Sequence, residues 1–368
     1  MIRTFRYPLH PNKAQEAALD VYLWRCRQLY NAALEQRISA YKKQGKSLTR
    51  YDQYAGLTEL RQGDSDFAAV PTTILRSALQ RLDLSFKAFF RRCKSGEKPG
   101  FPRFKGRDHF KSFSFMAAPS IKDSKVLVPK LGYVRFHEYR EIQGTPLDAS
   151  IRKDSRGWYV CIQCDLGAAP AKPEPKTHVG IDVGLTSFAT LSDGEKIENP
   201  RFFRKSAELL AERQRKLARK KKGSNSRKRA RKLVARAHEH IKNQRLDFVR
   251  KLTKSLFSRF DLVSYEDLNI RGMVHGNLSK SILDAAWGLL IHSLTCKAEY
   301  AGKHAVSVDP RGTSQRCSRC GKTPSIKKTL SDRVHLCSCG PPLDRDENAA
   351  LNVDALGLSV VESSRKAA

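Results

Sequence analysis

Apolar and polar positions alternate over residues 2–8, which predicts a β-strand ended by Pro11. Asn12 with Gln15 three positions later has the form of a capping box. Leu19, Tyr22, Cys26, Leu29, Leu34, Ile38 and Tyr41 then recur at helical spacing. After a turn at Gln44-Gly-Lys-Ser47, a second helix is expected over 51–62 and a third from near Pro71 to about Arg92. The third carries Leu75, Ala78, Leu82, Phe86 and Phe89 on one buried stripe. From 110 to 166 the period changes to two, in Ser112-Phe-Ser-Phe, Val126-Leu-Val, Tyr133-Val-Arg-Phe and Trp158-Tyr-Val-Cys-Ile. Gly132, Gly144, Pro146 and Gly157 punctuate these runs, and a small antiparallel β-domain is expected, joined by the N-terminal strand. The Pro- and Ala-rich residues 167–176 read as a linker.

Beyond it, His178-Val-Gly-Ile-Asp-Val-Gly-Leu185 predicts a buried strand entering a glycine turn, with Phe188-Ala-Thr-Leu folding back beside it. Leu209, Leu210, Leu217, Leu233, Val234, Ile241, Phe248 and Leu252 keep helical spacing through the next stretch. Phe260–Tyr265 predicts a strand, and about Lys280 to Gly302 a helix with Ile282, Ala286, Leu289, Leu290 and Leu294 inward and His292 as a core histidine. A strand at 304–308 and a last helix from Asn348 to about Leu356 follow, with a loose tail after Gly357.

Charge narrows the partner class. Lys plus Arg number 69 against 37 Asp plus Glu, a formal net charge of +32 over 368 residues, which points to a polyanion bound through many phosphates. The expectation is nucleic acid rather than a membrane, because no apolar run of transmembrane length and no secretory signal is read, and the location expected is cytoplasmic. Between Arg213 and Arg236 stand 13 Lys or Arg and no acid. This run, including Arg219, Lys220, Lys221 and Lys222, reads as a basic helical pair laid along a nucleic-acid backbone rather than a merely solvated face. In Pro99-Gly-Phe-Pro-Arg-Phe-Lys105, Phe101, Arg103, Phe104 and Lys105 either stack on bases and hold phosphates or pin the loop to the core.

Two constellations carry chemistry. Cys317-Ser-Arg-Cys320 and Cys337-Ser-Cys339, 16 residues apart, fit a tetrahedral all-thiolate Zn²⁺ site, although the second pair is one residue tighter than the usual knuckle. Cys161 and Cys164 share the spacing but lie in a strand pattern with no second pair, and Cys26, Cys93 and Cys296 are expected in helix cores. Asp182 and Glu266 each close an apolar β-favouring run, and Asp346 opens a helical one. Carboxylates in this order suit an RNase H-like nuclease. There, two Mg²⁺ ions about 4 Å apart accept oxygen ligands and neutralise charge at a phosphodiester. Asp344 is the nearest competitor for the third position.

With these residues in place, the chain resembles TnpB, the transposon-encoded RNA-guided DNA endonucleases related to type V CRISPR effectors. The resemblance rests on Gly100-Phe-Pro-Arg-Phe-Lys105, Gly180-Ile-Asp-Val-Gly-Leu185, Ser314-Gln-Arg-Cys-Ser-Arg-Cys-Gly321 and Asp344-Arg-Asp-Glu-Asn-Ala-Ala-Leu-Asn352, and runs from residue 1 to about 356. It implies a mixed α/β multidomain chain. A β-barrel wedge domain (1–11 and 105–170) would be interrupted by a helical recognition domain (12–104). A RuvC-like core (177–312, with the basic insertion at about 203–258), a zinc ribbon (313–342) and a last RuvC segment with tail (343–368) would follow. It implies Asp182, Glu266 and Asp346 as catalytic Mg²⁺ ligands and Cys317, Cys320, Cys337 and Cys339 as Zn²⁺ ligands. The implied partners are a guide RNA from the transposon end and double-stranded target DNA beside a short motif, bound by a monomer or weak dimer. The motif readers of relatives fall where this chain has Arg50, Tyr54, Thr72, Thr73 and Arg76. An RNA-free transposase or resolvase and a non-cutting RNA-guided repressor are the competing readings.

Overall fold

The computed structural model describes residues 1–107, 109–324, 328–329 and 331–366, which divide into two compact units, Met1–Ala168 and Ala169–Ala368.

In the first unit β1 (Ile2–His10) leads into α1 (Lys13–Gln44), α2 (Arg50–Gly63), the short α3 (Ser65–Ala69) and α4 (Thr72–Lys94). The chain then forms β2 (Ser112–Ser114), β3 (Ile121–Lys122), β4 (Lys125–Val128), β5 (Gly132–Phe136), β6 (Thr145–Lys153) and β7 (Trp158–Asp165). The Asn12–Gln15 capping box closes both ways at the start of α1, and Gly45 ends the helix at a φ of 64° that a side chain would resist. Thr49 and Asp52 repeat the box at α2. Strand β1 threads between β7 and β5 to give the order β2-β6-β7-β1-β5-β4-β3, every pair antiparallel. Its alternation buries Phe5, Tyr7 and Leu9 with Val160 and Ile162 in one core with Leu19, Leu75 and Leu79 of α1 and α4. No pair joins the two edge strands among the described residues, so the sheet is open where a barrel was expected. Within α1 and α4, Tyr41 is exposed at the last turn of α1, and Phe86 and Phe89 are half-buried.

The second unit carries β8 (His178–Val183), β9 (Ser187–Leu191), β10 (Lys196–Glu198), α5 (Phe202–Ala218), α6 (Asn225–Arg259) and β11 (Leu262–Glu266). It continues with α7 (Ile270–Met273), α8 (Ser279–Ala285), α9 (Trp287–Ala301), β12 (His304–Val308), β13 (Val334–Cys337), β14 (Gly340–Asp344) and α10 (Arg345–Lys366). The sheet order is β10-β9-β8-β11-β12, with β8, β11 and β12 parallel and β9 and β10 antiparallel. Val179, Ile181, Val263 and Tyr265 face a core shared with α6 and α9, while α10 packs against β8 and β11 on the other face. There is no room for a side chain at Gly180, whose added Cβ would overlap the Ala350 carbonyl, or at Gly357, whose added Cβ would overlap Ser264.

Four expectations are corrected here. The helix over 280–302 breaks at Ala286, held at a φ of 57°, into α8 and α9. The last helix begins earlier and runs through the expected tail, because Gly357 is a close contact and not a terminator. His292 and Cys93 are exposed rather than core.

Candidate functional site: three carboxylates and a four-cysteine cluster

Strand period and helix rise set the three acids on adjoining elements, although among the described residues only the four cysteines gather ligand atoms within 4.8 Å of one another. On β8, Gly180 faces α10, so Asp182, two residues on, faces it too; Ser264 and Glu266 of β11 stand in the same relation. Ile181 pairs with Tyr265, which leaves Asp182 and Glu266 side by side at the ends of neighbouring parallel strands. The helix crosses β8 with Asp354 against His178 (3.0 Å) and Ala350 against Gly180. Four residues of helix rise about 6 Å and two residues of strand about 6.6 Å, so the next pair in this series is Asp346 with Asp182.

Their electrostatics agree with the placement. Burial pushes the Asp182 carboxyl up to about 8, and the charges of Glu266 and Asp346 push it in the same direction. Burial also raises the Glu266 carboxyl, against a 2.6 Å hydrogen bond donated by the buried Thr313 hydroxyl to its Oε1. Asp346 has Arg345 Nε at 3.5 Å and Arg333 at 3.7 Å. Asp344 serves differently. Its Oδ1 accepts from the N–H groups of Asp346 and Glu347, capping α10, and its Oδ2 meets Lys196 Nζ at 2.6 Å. Burial opposes its charge, but Lys196 and these two N–H groups hold its carboxyl below the ordinary range.

The sulfurs of Cys317, Cys320, Cys337 and Cys339 all lie within 4.8 Å of one another, with Cys317–Cys339 at 3.5 Å and Cys320–Cys337 at 3.6 Å. Zinc–sulfur bonds of about 2.3 Å in a tetrahedron separate sulfurs by roughly 3.8 Å, so the four thiols fit that ion. Burial alone would raise the Cys317 thiol, but the backbone N–H groups of Cys320 and Arg319 and the imidazole of His335 hold it low. Cys161 and Cys164 stay on β7, away from any such cluster.

The candidate nucleic-acid residues divide. Arg50 stacks on Tyr51 at 4.8 Å; Tyr54 is half-buried beneath Arg76, whose guanidinium lies 5.2 Å from the ring. Thr73 is exposed on α4, whereas the Thr72 hydroxyl is engaged by Arg61 at 2.5 Å. Phe101 packs edge-on against Phe86 and Phe89, and the Lys105 backbone bonds both ways to Asn31, so this half of the loop is pinned. Arg103 and Phe104 are exposed, and so is about half of Phe101 despite its ring contacts. Arg219, Lys220, Lys221 and Lys222 form the exposed turn between α5 and α6, held by Arg227 bonds to the Leu217 and Lys220 carbonyls. Leu209 and Leu233 of that helical pair are exposed rather than inward.

Comparison with known proteins places these features in a family. The model described as "Probable transposase" (OrfB of IS605) matches residues 160–276, "Cas12f1-like, TNB domain" matches 287–353 and "Helix-turn-helix domain" matches 1–46. The "TnpB-like protein L770" of Acanthamoeba polyphaga mimivirus is 25% identical over 80% of this chain and 55% of its own length. A Streptomyces pristinaespiralis protein named "Putative RNA-guided DNA endonuclease" is 34% identical, covering 97% of this chain and 90% of the relative. The chain belongs to the TnpB family. InsQ of Escherichia coli K12, named in the same terms, is 27% identical over 98% of this chain and 93% of its own. Among solved structures, a Cas12f1–sgRNA–target DNA complex matches with TM-score 0.59 at 14% identity, covering 93% of this chain and 83% of that one. The mini-RNA-guided endonuclease Cas_phi3 gives 0.53 at 8%, covering 97% and 92%.

In this TnpB-family chain the region matched as helix-turn-helix is one strand and one unbroken 32-residue helix. Four side chains escaped the sequence reading. Thr313 holds Glu266, His335 sits buried beside Cys317, and Asn348 and Asn352 bind the Arg316 carbonyl at 2.8 and 2.9 Å. The two asparagines were visible four apart in the last motif. Their partners, 32 and 36 residues away, were not.

Proposed function

We propose that this chain is an RNA-guided DNA endonuclease that hydrolyses phosphodiesters at one site made by Asp182, Glu266 and Asp346. The observation that carries the reading is Asp182 itself: a carboxyl driven up to about 8 by its burial and by two further acids in a protein of net charge +32. Three hard oxygen donors are the ligand chemistry of divalent cations of the Mg²⁺ class. When bound, such ions activate water and stabilise the leaving oxygen of an in-line displacement. Thr313 orients Glu266, the Asp344 cap fixes the start of α10, and Lys196 pairs with Asp344 at 2.6 Å. A guide RNA from the transposon end would supply sequence by pairing with one strand of duplex DNA, leaving the protein to hold the backbone and read a short adjacent motif. The wedge, recognition and zinc-ribbon roles of the segments follow the same family pattern, with Zn²⁺ as a structural ion on the four thiols. The names of the relatives support this reading.

The test pairs chemistry with binding. RNA that co-purifies is sequenced, programmed against a library of randomised flanks, and cleavage compared for wild type and Asp182→Ala. The substitution should abolish cutting with Mg²⁺ while guided binding persists. Retained cutting rejects the site. The "Probable transposase" description of the matching family keeps an RNA-free recombinase as the second reading; it predicts a preparation that cuts or joins DNA with no RNA bound.

A further inference from the structure

Of the three tryptophans, Trp158 and Trp287 are core residues, 4% and 3% exposed, while Trp24 is 39% exposed on α1. Its neighbours Leu23 and Cys26 fill the buried stripe, so packing does not require an indole there. The Arg27 guanidinium lies over the ring at 4.3 Å and that of Arg107 at 5.7 Å. Arg27 is itself held, donating to the Lys105 carbonyl (3.2 Å), which also accepts from Asn31 (3.0 Å) while the Lys105 N–H donates back to Asn31 (2.8 Å). The loop through 107 is thereby fastened to α1, with the ring of Phe104 also open to solvent beside Lys105.

We propose that Trp24 is a stacking platform for an unpaired nucleobase, with Arg27 and Arg107 at the adjoining phosphates. A half-exposed indole with guanidiniums over it offers both π surface and positive charge, which suits a base and its charged backbone, and every base has a face to offer. Because the hydrogen bonds behind it are made within the protein itself, little ordering cost falls on binding. An acidic peptide would use the cations but not the ring. The inference rests on the nucleic-acid reading above and narrows it to one side chain.

Full-length, RNA-free protein is titrated with labelled oligouridine, oligothymidine and a blunt DNA duplex, following label anisotropy and intrinsic tryptophan emission together. Binding of a single strand should quench the solvent-exposed part of the emission; which of the two strands quenches tells RNA from DNA. Trp24→Phe should keep the native melting temperature yet lose the quench, since the remaining tryptophans are buried. Trp24→Ala should weaken single-strand binding roughly five-fold or more and leave duplex binding unchanged. Anisotropy that reports binding with unaltered emission, wild-type affinity in Trp24→Ala, or equal quenching by duplex each overturns the platform and leaves nucleic-acid binding intact. An acidic peptide that quenches equally does the same. No binding of any strand overturns both.

Discussion

Asp182 is a carboxyl whose environment disfavours its charge, and this has a sign. Its folded value, about 8, lies above the ordinary carboxylate range, so the native state holds the proton more tightly than the unfolded chain does. Metal-free stability should therefore fall as pH rises from the ordinary carboxylate range through about 8, then level. Asp182→Asn should flatten that fall, measured as the denaturation midpoint on either side of the transition; an equal slope in both proteins contradicts the placement. By the same linkage, divalent-cation affinity should rise over this window and binding should release protons. His335 offers a second residue-scale case. Its Nδ1 lies 2.5 Å from Lys328 Nζ, its Nε2 is buried without a hydrogen-bond partner, and the ring helps hold the Cys317 thiol low. His335→Phe, which keeps the volume and removes the imidazole, should speed chelator-driven loss of Zn²⁺ by roughly ten-fold, read with a zinc-sensitive dye. An unchanged release rate would make His335 a filler only.

Helix α10 is the element that would assemble the proposed site. It reaches β8 and β11 closely because glycines stand where it touches each strand, and its asparagines fasten the segment that bears Thr313 and Cys317. One helix thus sets the third acid, the orienter of the second and the entry to the cysteine cluster. Gly357→Ala should cost about 1–3 kcal/mol by overpacking against Ser264, seen in thermal unfolding. Pairing it with Ser264→Gly should cost less than the sum of the two single changes, since the overlapping atoms are then gone. Strict additivity would place the strain elsewhere. The break at Ala286 shows the converse: apolar spacing continues across it, so the pattern reads as one helix while the backbone makes two.

Across the whole molecule, charge is concentrated where it is least compensated. The turn between α5 and α6 presents Arg219, Lys220, Lys221 and Lys222 without acidic neighbours in sequence. Neutralising the four together should weaken binding to all nucleic-acid sequences alike. It should also reduce the slope of log affinity against log salt by about 0.7–0.9 for each phosphate that the turn no longer neutralises. A slope equal to that of wild type would remove this turn from the interface. The first unit adds a broad open sheet with exposed basic loops, so a polyanion has surfaces to meet on each unit.

From sequence alone came what depends on local period and spacing: the capping box at Asn12, the alternation of β1 and β7, the paired cysteines, and two acids closing apolar runs with a third opening a helical one. Those signals are written within a few residues, where side-chain direction follows from strand or helix periodicity. Tertiary structure alone decided the open edges of the first sheet, the reach of α10 past Gly357, the exposure of Trp24 and His292, and the pairing of Thr313 with Glu266. Each depends on what a distant segment brings to a given face, and a glycine that ends a helix is spelled the same way as one that lets a helix lie flat on a strand.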